Sequence, residues 1–197
     1  MYMSINIIIL IVSLVIGYIL SNMGVKPTSN FLDNGELLPI INANLWVDLL
    51  IIFITFSGII FTGKTLKLWY KKYRLSAIIA DMFSIILGLI LLRYIIYRLN
   101  IKVNLFTFIL LGLGLQVIHD ILFYLFFTNI PKGQNHMLDF FKGYSKELGL
   151  SAITGDSILV IWAIILSALL NSKSKNYNII TLIIGIYLIP YIIYMKD

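Results

Sequence analysis

The sequence predicts an all-α protein, a polytopic helical membrane bundle with about six transmembrane helices and one interfacial amphipathic helix. Three observations support this prediction. Of the 197 residues, 60% are hydrophobic, which exceeds the roughly half found in ordinary soluble domains. These residues form six long apolar runs, each near the length of about 20 residues that crosses a bilayer as a helix. Most charged residues lie in the polar connections between the runs.

The six runs predict a single integral membrane domain over residues 1–197. The first and last runs are short, so the sequence leaves their status as full spans open. The first run has no basic segment before it and no clear small-residue cleavage site, which favours a retained helix over a cleaved signal peptide. The predicted spans are, in chain order, 5–20, 45–62, 75–97, 105–127, 151–170 and 179–194.

The polar connection after the fourth run predicts an amphipathic helix near residues 136–148, lying in the membrane interface. Asn135 is suited to cap its first turn and Gly149 to end it. The sequence supports two interpretations of this helix, a gate over a polar site and a connector on the membrane surface. Its apolar residues recur at helical spacing and are Met137, Phe140, Phe141, Tyr144 and Leu148.

The formal net charge of +6 is unevenly distributed, which predicts an orientation in the membrane. The densest basic cluster follows the second run, and placing it inside leaves nine basic residues inside and five outside. Both termini are then cytoplasmic. Inside lie Lys64, Lys67, Lys71, Lys72, Arg74, Lys132, Lys142, Lys146 and Lys196, and outside lie Lys26, Arg98, Lys102, Lys173 and Lys175.

Aromatic residues alternate with this basic cluster, which indicates contact with the membrane surface. Trp69, Tyr70 and Tyr73 fit an interfacial belt beside anionic headgroups. We therefore expect a lipid bilayer with anionic headgroups as the partner, rather than nucleic acid. Association of the chain with further copies of itself stays open.

Three aspartates lie at nearly the same predicted depth in three consecutive spans. At a rise of about 1.5 Å per residue, Asp81, Asp120 and Asp156 each lie about 8–10 Å from the predicted inner surface. His119 adjoins Asp120, and Gln116 lies one turn before Asp120 on the same face. A carboxylate inside a span costs about 2.5–3.5 kcal/mol near mid-membrane. These five residues are therefore a candidate proton or cation site, and the alternative is a structural network that fixes helix packing.

Two further charged residues lie near the opposite surface in the predicted topology. Asp48 is close to the start of the second predicted span, and Arg93 is close to the end of the third. Because neighbouring helices run in opposite directions, the two side chains are candidates for an outer ion pair. The alternative is that each side chain extends separately toward the membrane surface.

Several kinds of chemistry lack their usual residues. The chain has no cysteine and two histidines, which excludes thiolate nucleophiles, thiolate metal sites and multi-histidine centres. No phosphate-binding loop, HExxH motif or nucleophile elbow occurs. We predict no cofactor, leave the question of a metal open, and favour a protein that is not an enzyme.

Two stretches of the sequence resemble known groups of membrane proteins. The segments HDILFYLFF, PKGQNHMLDFFKGYSKELG and GDS, within residues 115–157, resemble uncharacterised multi-spanning membrane proteins of large nucleocytoplasmic DNA viruses. This resemblance implies an infected-cell membrane or a virion inner membrane, and no established activity. Residues 153–156, ITGD, resemble the GxGD element of intramembrane aspartyl proteases but lack its first glycine. In that case Asp81 or Asp120 would be the partner of Asp156.

The sequence thus leaves three functions open. The leading one is movement of protons or small cations, with the three aspartates as relay or coordinating groups and His119 as a proton carrier. The second is a structural or assembly role in a viral membrane. The third is intramembrane hydrolysis of the aspartyl type.

Overall fold

The computed structural model describes residues 2–58 and 64–195. Over these ranges the chain forms eight α-helices and no strand, which confirms the predicted all-α bundle. The helices are α1 (Tyr2–Asn22), α2 (Leu37–Ser57), α3 (Lys64–Tyr73), α4 (Leu75–Arg98), α5 (Leu105–Asn129), α6 (His136–Leu148), α7 (Leu150–Asn171) and α8 (Lys175–Ile193). Six of them, α1, α2, α4, α5, α7 and α8, are long and apolar enough to cross a membrane.

The second span differs most from its predicted bounds, because α2 begins at Leu37 and not at Leu45. Asn42 and Asn44 interrupt the apolar run in the sequence, yet both are buried. The Asn42 amide nitrogen donates to Asn178 Oδ1 at 3.2 Å and to Thr181 Oγ1 at 2.7 Å, both on α8. Because a neighbouring helix supplies these partners, the polar residues do not end the span.

The short helices α3 and α6 lie at the same end of the bundle, here called the basic end because their lysines are there. The α3 segment lies in a predicted connection between spans, and no helix is predicted there from the sequence. The predicted interfacial helix 136–148 corresponds to α6, and Asn135 Oδ1 caps it by accepting from the Met137 and Leu138 amides. Residues 59–62 of the second predicted span, and Lys196, lie outside the described residues.

Helices α2 and α7 form the centre of the bundle. In each, 56% of the apolar window is buried, against 11% in α1 and 17% in α8. A Cβ added at Gly112 on α5 would lie 2.8 Å from Ile164 Cδ1 on α7, so these helices approach closely there. At the end opposite α3 and α6, a buried apolar core includes Leu89, Phe108 and Ile161.

A buried ion pair anchors the loop before α2 to α4. The Arg93 side chain is 2% exposed, and its Nη2 lies 3.3 Å from Glu36 Oε2. The same nitrogen donates to the backbone carbonyls of Asn30 and Asp33. In a low-dielectric interior, an arginine needs a carboxylate and further acceptors of this kind.

The predicted outer ion pair of Asp48 and Arg93 is therefore corrected. Arg93 pairs with Glu36, which lies in the polar connection between the first and second predicted spans. Since α2 begins earlier than predicted, Asp48 lies in the middle of that helix rather than near its start. The longer helix moves Asp48 away from the membrane surface and away from Arg93.

We expect Arg93→Met to lower the free energy of unfolding by about 3–5 kcal/mol, because Glu36 is then buried without its cation. Glu36→Gln combined with Arg93→Met removes the unpaired charge and should recover part of this loss. Denaturant titration in detergent micelles measures the variants. Arg98→Met, at an exposed position in the last turn of α4, is the matched control. An Arg93→Met protein as stable as this control would contradict the anchoring role.

Candidate functional site

Four aspartates from four helices approach one another toward the basic end of the bundle. Asp156 on α7 interacts electrostatically with Asp120 on α5 and with Asp81 on α4. Asp81 in turn interacts with Asp48 on α2. We call these four residues the acidic cluster. Three of them are the aspartates that the sequence analysis placed at one depth, and Asp48 is an addition.

Asp48 has the most buried carboxylate of the acidic cluster. The residue is 4% exposed, and neither of its carboxylate oxygens has a hydrogen-bond partner among the described residues. A buried carboxylate without a partner costs free energy, so such a group is rare unless it binds a proton or a ligand. The prediction of Asp48 near a membrane surface depended on a second span that begins eight residues later than α2 does.

Asp81 is held by a side chain from α3. The Trp69 indole nitrogen donates to Asp81 Oδ2 at 2.9 Å, and the Tyr70 side chain lies close enough to Asp81 to interact with it electrostatically. Trp69 and Tyr70 are 3% and 1% exposed. The predicted interfacial belt is therefore corrected for these two residues, which face the bundle interior because Asp81 and neighbouring apolar residues provide their contacts.

Asp120 connects the acidic cluster to the lipid-facing side of α5. The Gln116 amide nitrogen donates to Asp120 Oδ1 at 2.7 Å, and His119 Nδ1 lies 3.3 Å from the same oxygen. The other oxygen, Asp120 Oδ2, is buried without a partner among the described residues. The His119 side chain is 51% exposed and stacks on Phe123 at a centroid distance of 5.9 Å. His119 thus lies at the edge of the acidic cluster.

Two tyrosines from the short helices face the acidic cluster. Burial, followed by the nearby carboxyl groups of Asp156, Asp81 and Asp120, raises the pKa of the Tyr144 phenol well above its usual value. Burial and the nearby Asp81 raise the pKa of the Tyr70 phenol in the same way. Both phenols therefore stay neutral at ordinary pH and keep a proton to donate.

Aromatic side chains of α3 and α6 pack over the acidic cluster. Trp69 contacts Phe140 and Phe141 with centroid distances of 5.5 Å and 4.9 Å. Phe141 also contacts Phe123 on α5 at 5.1 Å, and the Tyr73 hydroxyl donates to the His136 carbonyl at 2.8 Å. We call these aromatic residues the aromatic cover. It links α3, α5 and α6, so these helices form one packed unit above the carboxylates.

The acidic cluster does not have the geometry of a metal centre. Among residues 2–58 and 64–195, no group of three or more His, Cys, Asp or Glu side chains is arranged to hold a metal ion. Each carboxylate of the acidic cluster interacts electrostatically with at least one other. The arrangement suits groups that exchange protons, because a proton needs a single oxygen and no coordination shell.

We expect the alkaline loss of stability to be smaller in Tyr144→Phe than in the wild-type protein. The folded-state pKa of Tyr144 is raised, so its contribution to folding is fully present below the unfolded-state pKa of about 10. Above about pH 10 the unfolded chain releases this proton while the folded chain retains it, so the wild-type stability falls as pH rises. Thermal unfolding followed from neutral to alkaline pH measures the slope.

The matched control for this experiment is Tyr177→Phe on α8, where the tyrosine is 48% exposed. Its slope against pH should equal that of the wild type. Comparing slopes removes any constant loss of stability caused by the substitution itself. Equal slopes for wild type and Tyr144→Phe would show that Tyr144 does not face the carboxylates.

Comparison with protein-family models, with curated proteins and with solved structures finds no match to this chain.

Proposed function

We propose that this multi-pass membrane protein binds protons on the acidic cluster and moves them as part of a transport process. The main support is the carboxylate of Asp48, which is buried without a hydrogen-bond partner among the described residues and lies near a second carboxylate, Asp81. In a low-dielectric medium, two neighbouring carboxylates without a cation cannot both carry their charge at an acceptable free energy. Bound protons neutralise them.

The surroundings of the acidic cluster support protons over metal ions as the transported species. Of the ion pairs formed by described residues, only that of Asp120 with His119 includes a member of the acidic cluster. No metal-binding group occurs in the same ranges. A buried carboxylate that has no basic partner is best neutralised by a proton that it can exchange with its neighbours.

The order of the side chains supports a relay from the lipid-facing edge inward. His119, which normally titrates near neutrality, is half-exposed and adjoins Asp120. Asp120 interacts with Asp156, Asp156 with Asp81, and Asp81 with Asp48. The side chains thus form a series of groups that accept and release protons, from the edge of α5 to the centre of α2.

The apolar core beyond Asp48 favours a gated pathway over an open one. The buried residues Leu89, Phe108 and Ile161 belong to a core cluster at the end opposite the aromatic cover. An apolar, close-packed region conducts no protons unless it rearranges to admit water or polar groups. We therefore propose movement coupled to a conformational change, with small cations other than protons as the alternative cargo.

A structural role is the second candidate, and the Trp69 hydrogen bond to Asp81 favours it. This bond joins α3 to α4 at 2.9 Å, and a satisfied polar contact inside a membrane protein can fix the packing of helices. A viral membrane as the setting is supported by the sequence resemblance of residues 115–157 alone. In this role the acidic cluster stabilises the bundle and transports nothing.

We expect Asp48→Asn to reduce proton flux into liposomes by more than about tenfold while the protein stays folded, because the relay loses a group that takes up and releases protons. Flux is measured with purified protein, an imposed pH gradient and a pH-sensitive dye inside the vesicles. Asp33→Asn is the matched control, since Asp33 is exposed and caps the turn before α2. Imposed sodium and potassium gradients test the alternative cargoes.

Asp81→Asn beside Trp69→Phe separates the two candidate functions. If the acidic cluster moves protons, Asp81→Asn loses flux in a folded protein, and Trp69→Phe keeps flux because every carboxylate remains. If the role is structural, Trp69→Phe loses stability because it removes the hydrogen bond to Asp81, whereas Asp81→Asn keeps an amide oxygen that accepts this bond. Absence of proton and cation flux in folded wild-type protein would overturn the transport proposal.

A further inference from the structure

A cavity of about 360 Å³ lies at the basic end, between the last turn of α5 and one side of α6. Its volume is within the range of ordinary small-ligand sites, about 300–1,000 Å³. Three lysines line it, Lys132 in the α5–α6 connection and Lys142 and Lys146 on α6, together with Tyr124 and Ser145. The cavity is separate from the acidic cluster, because no aspartate of that cluster lines it.

The charges at this cavity are unequally neutralised. Lys142 donates to the Ile130 carbonyl just beyond α5 and lies 3.5 Å from Asp139 Oδ1, so its ammonium group already has partners. Lys132 and Lys146 are exposed, and neither belongs to an ion pair among the described residues. Three cations and one adjacent carboxylate leave an excess of positive charge at the cavity.

The lowered pKa of Asp139 agrees with an excess of positive charge at the cavity. Its pKa is lowered, first by the hydrogen bond from the Gly133 amide and then by Lys142 and Lys132. The Gly133 amide donates to Asp139 Oδ2 at 2.7 Å, which holds the loop containing Lys132 against the start of α6. The lysines are thus positioned by a folded loop and a helix.

We propose that this cavity binds a phosphate group, carried either by an anionic lipid headgroup or by free phosphate. Lysine ammonium groups bind phosphate oxygens as point charges. Basic pockets at the membrane surface between helices recognise phospholipid headgroups. Tyr124, which is 50% exposed among lipid-facing residues of α5, places the cavity at the border of the apolar region.

A bound phosphate would tie α6 to α5 on the side away from the aromatic cover. Lys142 and Lys146 line the cavity, whereas Tyr144, between them in sequence, faces the acidic cluster. One helix therefore contacts both sites, so a ligand at the cavity would hold α6 in place over the carboxylates. The proposed phosphate site is formed by residues outside the acidic cluster, however, and does not depend on proton transport.

The test uses the full chain in two arms that distinguish the source of the phosphate. In one arm, protein from phosphatidylcholine vesicles containing a minor fraction of phosphatidic acid is analysed by native mass spectrometry for retained lipid. In the other, radiolabelled inorganic phosphate is equilibrated with detergent-solubilised protein by dialysis. Each arm compares wild type with Lys132→Gln/Lys146→Gln, and thermal unfolding checks that the variant is folded.

The matched control is Lys173→Gln/Lys175→Gln, which removes two lysines from the connection between α7 and α8 and from the start of α8, away from the cavity. We expect phosphate or phosphatidic acid to bind about tenfold more weakly to Lys132→Gln/Lys146→Gln than to wild type and this control. Loss confined to the lipid arm identifies a headgroup site, and loss in the dialysis arm identifies a site for free phosphate. Equal binding by all three proteins in both arms would overturn the proposal.

Discussion

The free energy of placing charge in an apolar medium is the constraint on which the rest of this structure depends. The bundle meets it in two different ways at its two ends. At one end, Arg93 is neutralised by Glu36 and by backbone carbonyls, a closed arrangement that anchors a loop. At the other end, four aspartates approach one another without an equivalent cation. The first arrangement is complete within the chain, whereas for the second we propose that bound protons neutralise the carboxylates.

The same constraint explains how the short helices α3 and α6 pack against the bundle. Trp69 turns inward because Asp81 accepts its hydrogen bond, and Phe141 joins α6 to α3 and α5. The aromatic cover shields the carboxylates on the side of the membrane surface, while α2 and α7 surround them within the bundle. Access to the acidic cluster and stability of the basic end therefore depend on the same contacts.

The sequence predicted the fold because long apolar runs specify membrane helices with little dependence on tertiary context. Counting residues also placed Asp81, Asp120 and Asp156 at one depth, since helical rise is nearly constant. The same counting misplaced Asp48, because Asn42 pairs with α8 inside the bundle and hydropathy counts its amide as an interruption. The partner of Arg93 was also not predictable from the sequence. It depends on how the loop before α2 folds back onto α4, and the spacing of residues along the chain does not specify this.

The central claim is that bound protons neutralise the acidic cluster, and infrared spectroscopy of the protein in lipid nanodiscs tests it most directly. Protonated and ionised carboxyl groups absorb in separate carbonyl-stretching bands, and isotope exchange identifies groups that trade protons with water. At neutral pH we predict a protonated-carboxyl band that weakens in Asp48→Asn and in Asp81→Asn, and does not weaken in Asp33→Asn. A wild-type protein without this band, or with a band that neither substitution changes, would contradict the account.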